Sequence, residues 1–260
     1  MCLLVIAWRS HPRYRLVVAA NRDEFHDRPS APLAWWNDDT RILAGRDLRA
    51  GGTWLGVTRE GHFGIITNFR DLESPPAVDA PSRGEIVPRY LKDGGAAAGF
   101  LDVLGGSAHR YAGFSLLIGG PRDLHYFSNR GHAGARPLAS GIYGLSNHSL
   151  DTPWPKLVRT RQRFAAAMAA ERPDAATLFE ILGDREPAGI GAPSDPDLPA
   201  DWERALSAPF VVHERYGTRC STVVTMDDQG RTTVLERRFD ATGAETGATR
   251  MEFAGSGAPE

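Results

Sequence analysis

The sequence predicts an α+β fold built from largely antiparallel sheets. Strand patterns come first, helical patterns fill the middle of the chain, and strand patterns return near the end. Neighbouring strand runs are joined by tight turns such as Glu60-Gly61, whereas parallel strands need long and usually helical crossovers. This order of elements favours an α+β fold over a regular alternation of strand and helix.

Composition limits the classes of partner and compartment. The chain has 260 residues, with 30 Lys and Arg against 32 Asp and Glu, and a formal charge of -2. Because there is no global positive field, nucleic acid and anionic membranes are not expected partners. The apolar start is too short to span a bilayer and has no basic segment before it. We expect a cytoplasmic protein with one domain, residues 1–254, and a frayed tail at 255–260; no pattern indicates an oligomeric state.

The first two strand patterns form a predicted hairpin. Apolar runs at 1–8 and 15–20 flank a short polar turn at 10–13, as in two buried antiparallel strands. Cys2 therefore begins a core strand. Removal of Met1, which a small second residue such as Cys permits, would leave a thiol and a free α-amine on the same residue.

An N-terminal cysteine can be a nucleophile that carries its own base. A free α-amine titrates near ~7.7 to 8.0 and a thiol near ~8.5, so at neutral pH the amine can take the thiol proton. The second strand ends at Arg22, Asp23 and Glu24, whose charges would fix the amine and tune both pKa values. The alternative interpretation is that Cys2 is a small buried apolar residue and that the charged residues are a solvated strand end.

The remaining elements follow from caps, turn residues and periodicity. An irregular loop is predicted over 28–39, where Trp35 and Trp36 either line a pocket or cap the core. Ser82 and Glu85 form a predicted capping box for a short helix. Further helices are predicted at 96–104, 152–171 and 174–182, and a long loop at 183–209. Later strands are predicted at 42–45, 53–58, 62–70, 111–118, 124–128, 142–145, 221–226 and 232–239.

Cysteine and histidine usage excludes several site types. Two cysteines cannot build a disulfide framework or a zinc finger, and the eight histidines are scattered without the close pairing of a metalloprotease helix. No metal site is therefore predicted. Cys220 begins a β-branched run and is expected to be an inert packing residue.

Several motifs together resemble the NRDE family, whose eukaryotic members are called transport and Golgi organisation protein two. The motifs are collinear and span nearly the whole chain. They are Met1-Cys2, Ala20-Asn21-Arg22-Asp23-Glu24-Phe25, Gly51-Gly52-Thr53-Trp54-Leu55-Gly56, Thr67-Asn68, Tyr143-Gly144-Leu145-Ser146-Asn147, Thr152-Pro153-Trp154 with Lys156, and Tyr216-Gly217-Thr218-Arg219.

The resemblance implies a fold and a set of site residues. The family is similar to the N-terminal nucleophile hydrolases, which implies a four-layer αββα sandwich. By similarity to the cysteine branch with choloylglycine hydrolases and penicillin V acylases, Cys2 would be the nucleophile. Asn68 and Asn147 would stabilise the oxyanion and hold the amine. Those acylases separate their Arg and Asp by two residues, whereas Arg22 and Asp23 are adjacent here, so either Asp23 or Glu24 would serve the amine.

Two functions of different classes follow from these residues. In the first, Cys2 attacks the carbonyl of a non-peptide amide or thioester, with no resident cofactor. In the second, the chain is a non-catalytic intracellular carrier or trafficking protein for haem, as a transient cargo, or for acyl-coenzyme A and other lipids. Trp35 and Trp36 would belong to the carrier's apolar wall. The predicted ligand-contacting residues are Asn21, Glu24, Trp54, Phe69 and Arg219.

Overall fold

The computed structural model describes residues 2–70, 79–131, 134–189 and 198–255 and contains two antiparallel sheets. Sheet A has the strand order β10-β1-β2-β11-β12-β13, and sheet B has the order β3-β4-β5-β6-β7-β8-β9. The strands are β1 Cys2–Trp8, β2 Tyr14–Phe25, β3 Ser30–Trp35, β4 Ile42–Asp47, β5 Leu55–Thr58, β6 Phe63–Asn68, β7 Phe114–Gly119, β8 Leu124–Ser128, β9 Gly134–Pro137, β10 Gly141–Leu145, β11 Tyr216–Asp227, β12 Arg231–Phe239 and β13 Glu245–Ala254.

Helices cover the outer face of each sheet, so the layers run αββα. The helices are α1 Ile86–Asp93, α2 Ala97–Ser107, α3 Pro155–Ala167, α4 Ala175–Leu182 and α5 Ala200–Leu206, with 3-10 turns at Arg83–Glu85 and Ala108–Arg110. One apolar cluster lies between the sheets, a second joins sheet B to α1 and α2, and a third joins sheet A to α3 and α4. The predicted α+β class and four-layer sandwich are confirmed.

The opening hairpin forms as predicted. β1 and β2 pair antiparallel over their length, with Cys2 opposite Arg22 and Trp8 opposite Leu16. All seven residues of β1 are buried, because one face of the strand packs between the sheets and the other packs against α3 and α4. β1 is therefore enclosed between the helix layer and the opposite sheet, and Cys2 is its first residue.

Three strands depart from the prediction. The loop predicted over 28–39 contains β3, an edge strand that pairs with β4. Pro32 fits there because an edge strand needs no donor on its free side, and the pairing has an irregularity between Ala31 and Ala34. The other two are β9 and β13, which were not predicted. β9 forms an edge of sheet B beside β8, and β13 forms the edge of sheet A beside β12.

Several element boundaries also differ from the prediction. α3 begins at Pro155, and the Thr152 hydroxyl donates to the carbonyl of Ser149 at 2.8 Å instead of capping the helix. Ser82 does accept from a backbone N–H, but the donor is Gly84, and the first turn is 3-10. Asp174 caps α4 as predicted. α5 lies within the predicted long loop, of which residues 190–197 are outside the described ranges, as are residues 256–260 of the predicted tail.

Close packing of α3 on sheet A depends on Gly144 in β10. A Cβ atom at this position would lie 2.8 Å from a Leu157 methyl group of α3, closer than real side chains approach. The absent side chain lets the first turns of α3 rest on β10, which places the buried Lys156 behind the start of β1. Among the described residues, no helix is long and apolar enough to cross a membrane.

Candidate active site

One row of side chains crosses sheet A and faces the space between the two sheets. The register places Cys2 opposite Arg22, Arg22 opposite Cys220, and Cys220 opposite Arg238. Directly opposed residues point to the same face, and all four line one cavity of about 680 Å³, hereafter the main cavity. The two thiols are two strand spacings apart, roughly 10 Å between Cα atoms, which is beyond the reach of a disulfide.

The Cys2 nitrogen points to a different set of groups from the thiol. It donates to Asn147 Oδ1 at 2.9 Å, and Asn147 Nδ2 donates to the backbone carbonyl of Asn68 at 3.0 Å. Asn147 has φ 54°, a left-handed conformation that Asn tolerates better than most residues. Its oxygen and one of its two N–H groups are therefore occupied, which suits Asn147 for holding the Cys2 nitrogen, and Asn147 is not among the described residues that line the main cavity.

Asn68 ends β6 on the opposite sheet and has an exposed side chain in the wall of the main cavity. The contact with Asn147 uses the backbone carbonyl of Asn68. The Asn68 side-chain amide therefore lies close to the Cys2 site and takes no part in that hydrogen bond. Sequence reasoning predicted that both asparagines converge on Cys2, and the structure brings them together. Of the two, Asn68 is the one whose amide N–H groups can face a bound carbonyl oxygen.

Asp23 is almost fully buried, at 2 % exposure, and is among the residues that line the main cavity. Its Oδ1 accepts from the Thr218 hydroxyl at 2.7 Å, and the Tyr216 hydroxyl donates to its backbone carbonyl. Burial raises the pKa of Asp23 to about 6, although the amino terminus, Lys156, Thr218 and Arg22 act in the opposite direction. Asp23 is therefore the carboxylate that is electrostatically coupled to the chain's amino terminus.

Glu24 belongs to a different network, in the main cavity. Its Oε2 lies 3.8 Å from Arg22 Nη2 and 3.9 Å from Arg28 Nε. Both arginines also reach Asp47 Oδ2, at 3.5 Å from Arg22 and 2.5 Å from Arg28. Glu24 thus balances the cavity's arginines, whereas Asp23 is the carboxylate whose charge acts on the Cys2 thiol and interacts with the amino terminus.

The thiol of Cys2 has a raised pKa in the chain that retains Met1. Burial raises the pKa, and the coulombic effect of Asp23 acts in the same direction. The amino terminus, a hydrogen bond from the Asp23 backbone and Arg22 lower it by less. While Met1 is attached, removal of the thiolate from water outweighs the nearby positive charges. A lowered thiol pKa in a chain with a free Cys2 amine stays a prediction.

Two predicted ligand-contacting residues lie away from the main cavity. Asn21 is fully buried; its amide nitrogen donates to the carbonyls of Leu182 and Pro209, and its oxygen accepts from Ser221. Alternate residues of a strand face opposite sides, so the Asn21 side chain points to the helix-facing side of β2. Its hydrogen bonds connect sheet A to the segments on that side. Phe69 stacks on His148, with ring centroids 4.5 Å apart, and is absent from the described cavity wall.

The tryptophans divide between core and cavity. Trp54 lines the main cavity, as predicted. Trp36 is buried in the cluster under sheet B, and Trp35 packs on Phe253 with Arg59 over its ring. Trp35 and Trp36 therefore pack in the core, which is one of the two alternatives that the sequence left open.

Arg219 reaches the main cavity because β11 contains an irregularity. The pairing with β2 shifts between Thr218 and Cys220, so Arg219 is an extra residue and can share the cavity wall with its neighbour Cys220. Its Nη1 donates to His26 Nδ1 at 3.0 Å, and His26 Nε2 donates to the carbonyl of His213. Burial and Glu236 raise the pKa of the Cys220 thiol, consistent with the predicted inert role.

Three residues of the site were not predicted as such. Lys156 is buried behind β1, where its ammonium donates to the carbonyl of Leu206 at 2.7 Å, and burial lowers its pKa against the attraction of Asp23 and Cys2. Asp47 anchors the cavity's arginines. Arg83 lines the cavity from the 3-10 turn. Of these three, Lys156 belongs to one of the motifs quoted above, whereas no local sequence pattern marks Asp47 or Arg83.

Comparison with solved structures defines the class of fold. The chain is similar to the Caenorhabditis elegans N-acylethanolamine-hydrolyzing acid amidase (NAAA) ortholog, with a TM-score of 0.50 and 11% identity over 85% of this chain and 92% of that chain. At this identity the likeness concerns the fold alone. The four-layer sandwich is thus similar in fold to that protein.

Sequence comparison then defines the family. The family model "Transport and Golgi organisation 2" matches residues 1–241, and the chain belongs to this family. The Mus musculus Transport and Golgi organization 2 homolog is 33% identical over 91% of this chain and 92% of its own length. The Drosophila melanogaster Transport and Golgi organization protein 2 is 28% identical over 91% of each chain.

Proposed function

We propose that this chain, after removal of Met1, is a cysteine N-terminal nucleophile hydrolase that cleaves a non-peptide amide or a thioester. The observation that carries the proposal is the split environment of Cys2. Its side chain faces a cavity of about 680 Å³, while its nitrogen donates to Asn147, and the charge of the buried Asp23 acts on the same residue. This arrangement suits a residue that uses its thiol as nucleophile and its own nitrogen as base.

The reaction can be written with the residues of the site. The neutral Cys2 amine takes the thiol proton, and the thiolate attacks the substrate carbonyl carbon while Asn68 Nδ2 donates to the developing oxyanion. The ammonium then returns the proton to the leaving nitrogen or sulfur, and a Cys2 thioester remains. A water molecule, deprotonated by the same amine, attacks the thioester and releases the carboxylic acid and the free thiol.

Asp23 and Asn147 would position the base in this scheme. Asn147 Oδ1 accepts from the Cys2 nitrogen, and the Asp23 carboxylate supplies the negative charge that a transient ammonium needs. While Met1 remains attached, that nitrogen belongs to a peptide bond and cannot act as a base. Exposure of the Cys2 amine is therefore the step on which activity depends.

The test compares one protein before and after exposure of Cys2. A chain with a removable N-terminal extension is assayed against aliphatic amides, N-acyl amino acids and acyl thioesters, and then assayed again after the extension is cleaved. We expect hydrolysis only after cleavage, its loss in Cys2→Ala, and a fall of about 10²- to 10³-fold in kcat for Asn68→Ala. Cys220→Ala is the matched control and should retain activity. Equal hydrolysis before and after cleavage, or full activity of Cys2→Ala, would contradict the proposal.

A carrier function is the second candidate, and one observation favours it. The main cavity and its arginines are present while the Cys2 nitrogen is still in a peptide bond, so a ligand could bind without any processing. Acyl-coenzyme A or another anionic lipid would suit this wall, and haem as a transient cargo would find two thiols there but no imidazole or thioether among the described lining residues. Ligand affinity that is identical before and after removal of the extension, with no turnover, is the result expected of a carrier.

A further inference from the structure

A short segment docks onto the Gly51-Gly52-Thr53 motif beside the nucleophile. The Thr53 backbone N–H donates to the carbonyl of Gly84 at 3.0 Å. A Cβ atom on residue 52 would lie 2.2 Å from that same carbonyl oxygen, so only glycine allows this approach. The motif therefore packs directly against the 3-10 turn Arg83–Glu85. The first residue of this turn, Arg83, lines the main cavity.

The Arg83 side chain is held in place but not neutralised. Its Nη1 donates to the carbonyl of Gly113 at 2.7 Å, which occupies one of the five N–H donors of a guanidinium. Among the described residues, no carboxylate lies within 4.0 Å of it. Burial lowers the pKa of Arg83, and Glu24 and the Cys2 thiol act in the opposite direction, so this guanidinium and the nucleophile share one electrostatic environment.

Most other arginines of the main cavity are already committed to carboxylates. Arg22 and Arg28 contact Asp47 and Glu24, and Arg238 contacts Glu236. At the rim, Arg46 pairs with Asp38 and Arg49 pairs with Asp27. Arg219 is bonded to His26. Among the described residues, Arg83 and Arg219 are thus the cavity arginines without a carboxylate within 4.0 Å, and Arg83 has only a backbone carbonyl as its hydrogen-bond partner.

We propose that Arg83 is a specificity-determining residue that binds an anionic group, a carboxylate or a phosphate, on the leaving group of the substrate. An apolar acyl chain gains nothing from a guanidinium, and with such a chain on the acyl half we assign the group that Arg83 recognises to the amine or thiol half of the substrate. Planar guanidinium groups bind carboxylate and phosphate oxygens through pairs of charge-assisted hydrogen bonds. This inference rests on the proposed hydrolase function and narrows its substrate class.

Three matched amides test the proposal. N-octanoylethanolamine has a neutral leaving group, N-octanoylglycine replaces its hydroxymethyl group with a carboxylate, and N-octanoyl-O-phosphoethanolamine adds a phosphate. The processed chain should prefer at least one anionic amide over the neutral one by about 10- to 100-fold in kcat/KM. Arg83→Gln should reduce that preference by at least 10-fold, and Arg83→Lys should retain part of it. The carboxylate and phosphate arms show which anion the site accepts.

Arg49→Gln is the matched control, since Arg49 also lines the cavity but is exposed and paired with Asp27. It should leave the preference unchanged. An Arg83→Gln chain that keeps the full preference, or an Arg49→Gln chain that loses as much, overturns the proposal.

A binding experiment separates this inference from the proposed hydrolysis. In Cys2→Ala, which cannot turn over, titration calorimetry should give at least 10-fold tighter binding of an anionic amide than of N-octanoylethanolamine. Arg83→Gln in the same background should abolish the difference. If the processed chain hydrolyses none of the three amides, the amidase function fails for this class while the calorimetry still decides on Arg83. Equal affinities for all three amides in Cys2→Ala would contradict the proposal that Arg83 binds an anionic group.

Discussion

At the residue scale, Asp23 carries a carboxylate in a place that disfavours its charge. Burial raises its pKa from 3.8 to about 6 despite the Thr218 hydroxyl and the nearby cations. A shift of this size corresponds to about 3 kcal/mol of stability that is lost when the folded carboxylate ionises. The sign follows from the raised pKa: the unfolded chain binds fewer protons between pH 4 and 6, so stability falls as the pH rises through this range.

Replacement of Asp23 by Asn should therefore stabilise the fold while it removes function. With the Cys2 nitrogen blocked by an extension, we expect Asp23→Asn to raise the free energy of unfolding at pH 7 by about 1–3 kcal/mol, because the amide oxygen can still accept from Thr218. The gain should shrink below pH 4. Urea unfolding at several pH values measures it. Asp174→Asn, an exposed cap of α4, is the control and should change little at any pH; an Asp23→Asn chain no more stable than the parent at pH 7 would contradict the argument.

At the scale of elements, the site depends on how closely backbone segments approach one another. Gly52 admits the turn that carries Arg83, and Gly144 admits the helix that carries Lys156. Both glycines stand within motifs that also contain polar residues, yet their contribution is the absence of a side chain. The motifs thus combine residues that contact the site with residues that let whole elements pack behind it.

Gly52→Ala tests this role at the level of the element. The new methyl group must push the Gly84 carbonyl away, so we expect a loss of about 1–3 kcal/mol in the free energy of unfolding and a weaker preference for anionic amides. Gly99→Ala is the matched control, because this exposed position of α2 has open space around it and alanine favours a helix by up to ~1 kcal/mol. Chemical denaturation and the octanoyl amide assay give the two readouts. Parent-like values of both for Gly52→Ala would show that the turn is not seated by this contact.

At the scale of the whole molecule, processing at the chain's end and reactivity in the cavity are coupled through Cys2. The structure with a blocked Cys2 nitrogen has a buried thiol whose pKa is raised, and Cys220 lies in the same row with a thiol pKa raised by burial and by Glu236. A free ammonium on Cys2 would bring positive charge next to its own thiol, which favours the thiolate. The reactivity of the two cysteines should therefore diverge only after the amine is exposed.

Iodoacetamide labelling measures this coupling. Before removal of an N-terminal extension, both cysteines should label slowly at neutral pH; after removal, the labelling curve of Cys2 should move to lower pH by about one unit or more, while Cys220 stays slow. Peptide mass spectrometry distinguishes the two sites, and Cys220→Ala confirms the assignment. If Cys2 labels no faster after removal than before, the amine does not activate the thiol and the carrier function gains support.

Local patterns in the sequence predicted the opening hairpin and the α+β class, because turn chemistry and period-two alternation are local properties, and the resemblance to the NRDE family indicated the residues that meet at Cys2. Other features depend on contacts between distant segments. Asn21 and Arg22 are adjacent in the chain, yet strand alternation sends one into the helix layer and the other into the cavity. The irregularity at Arg219 and the contact between Gly52 and Gly84 depend on pairing between distant segments. The raised pKa values of Cys2 and Asp23 likewise follow from burial, which only the assembled layers create.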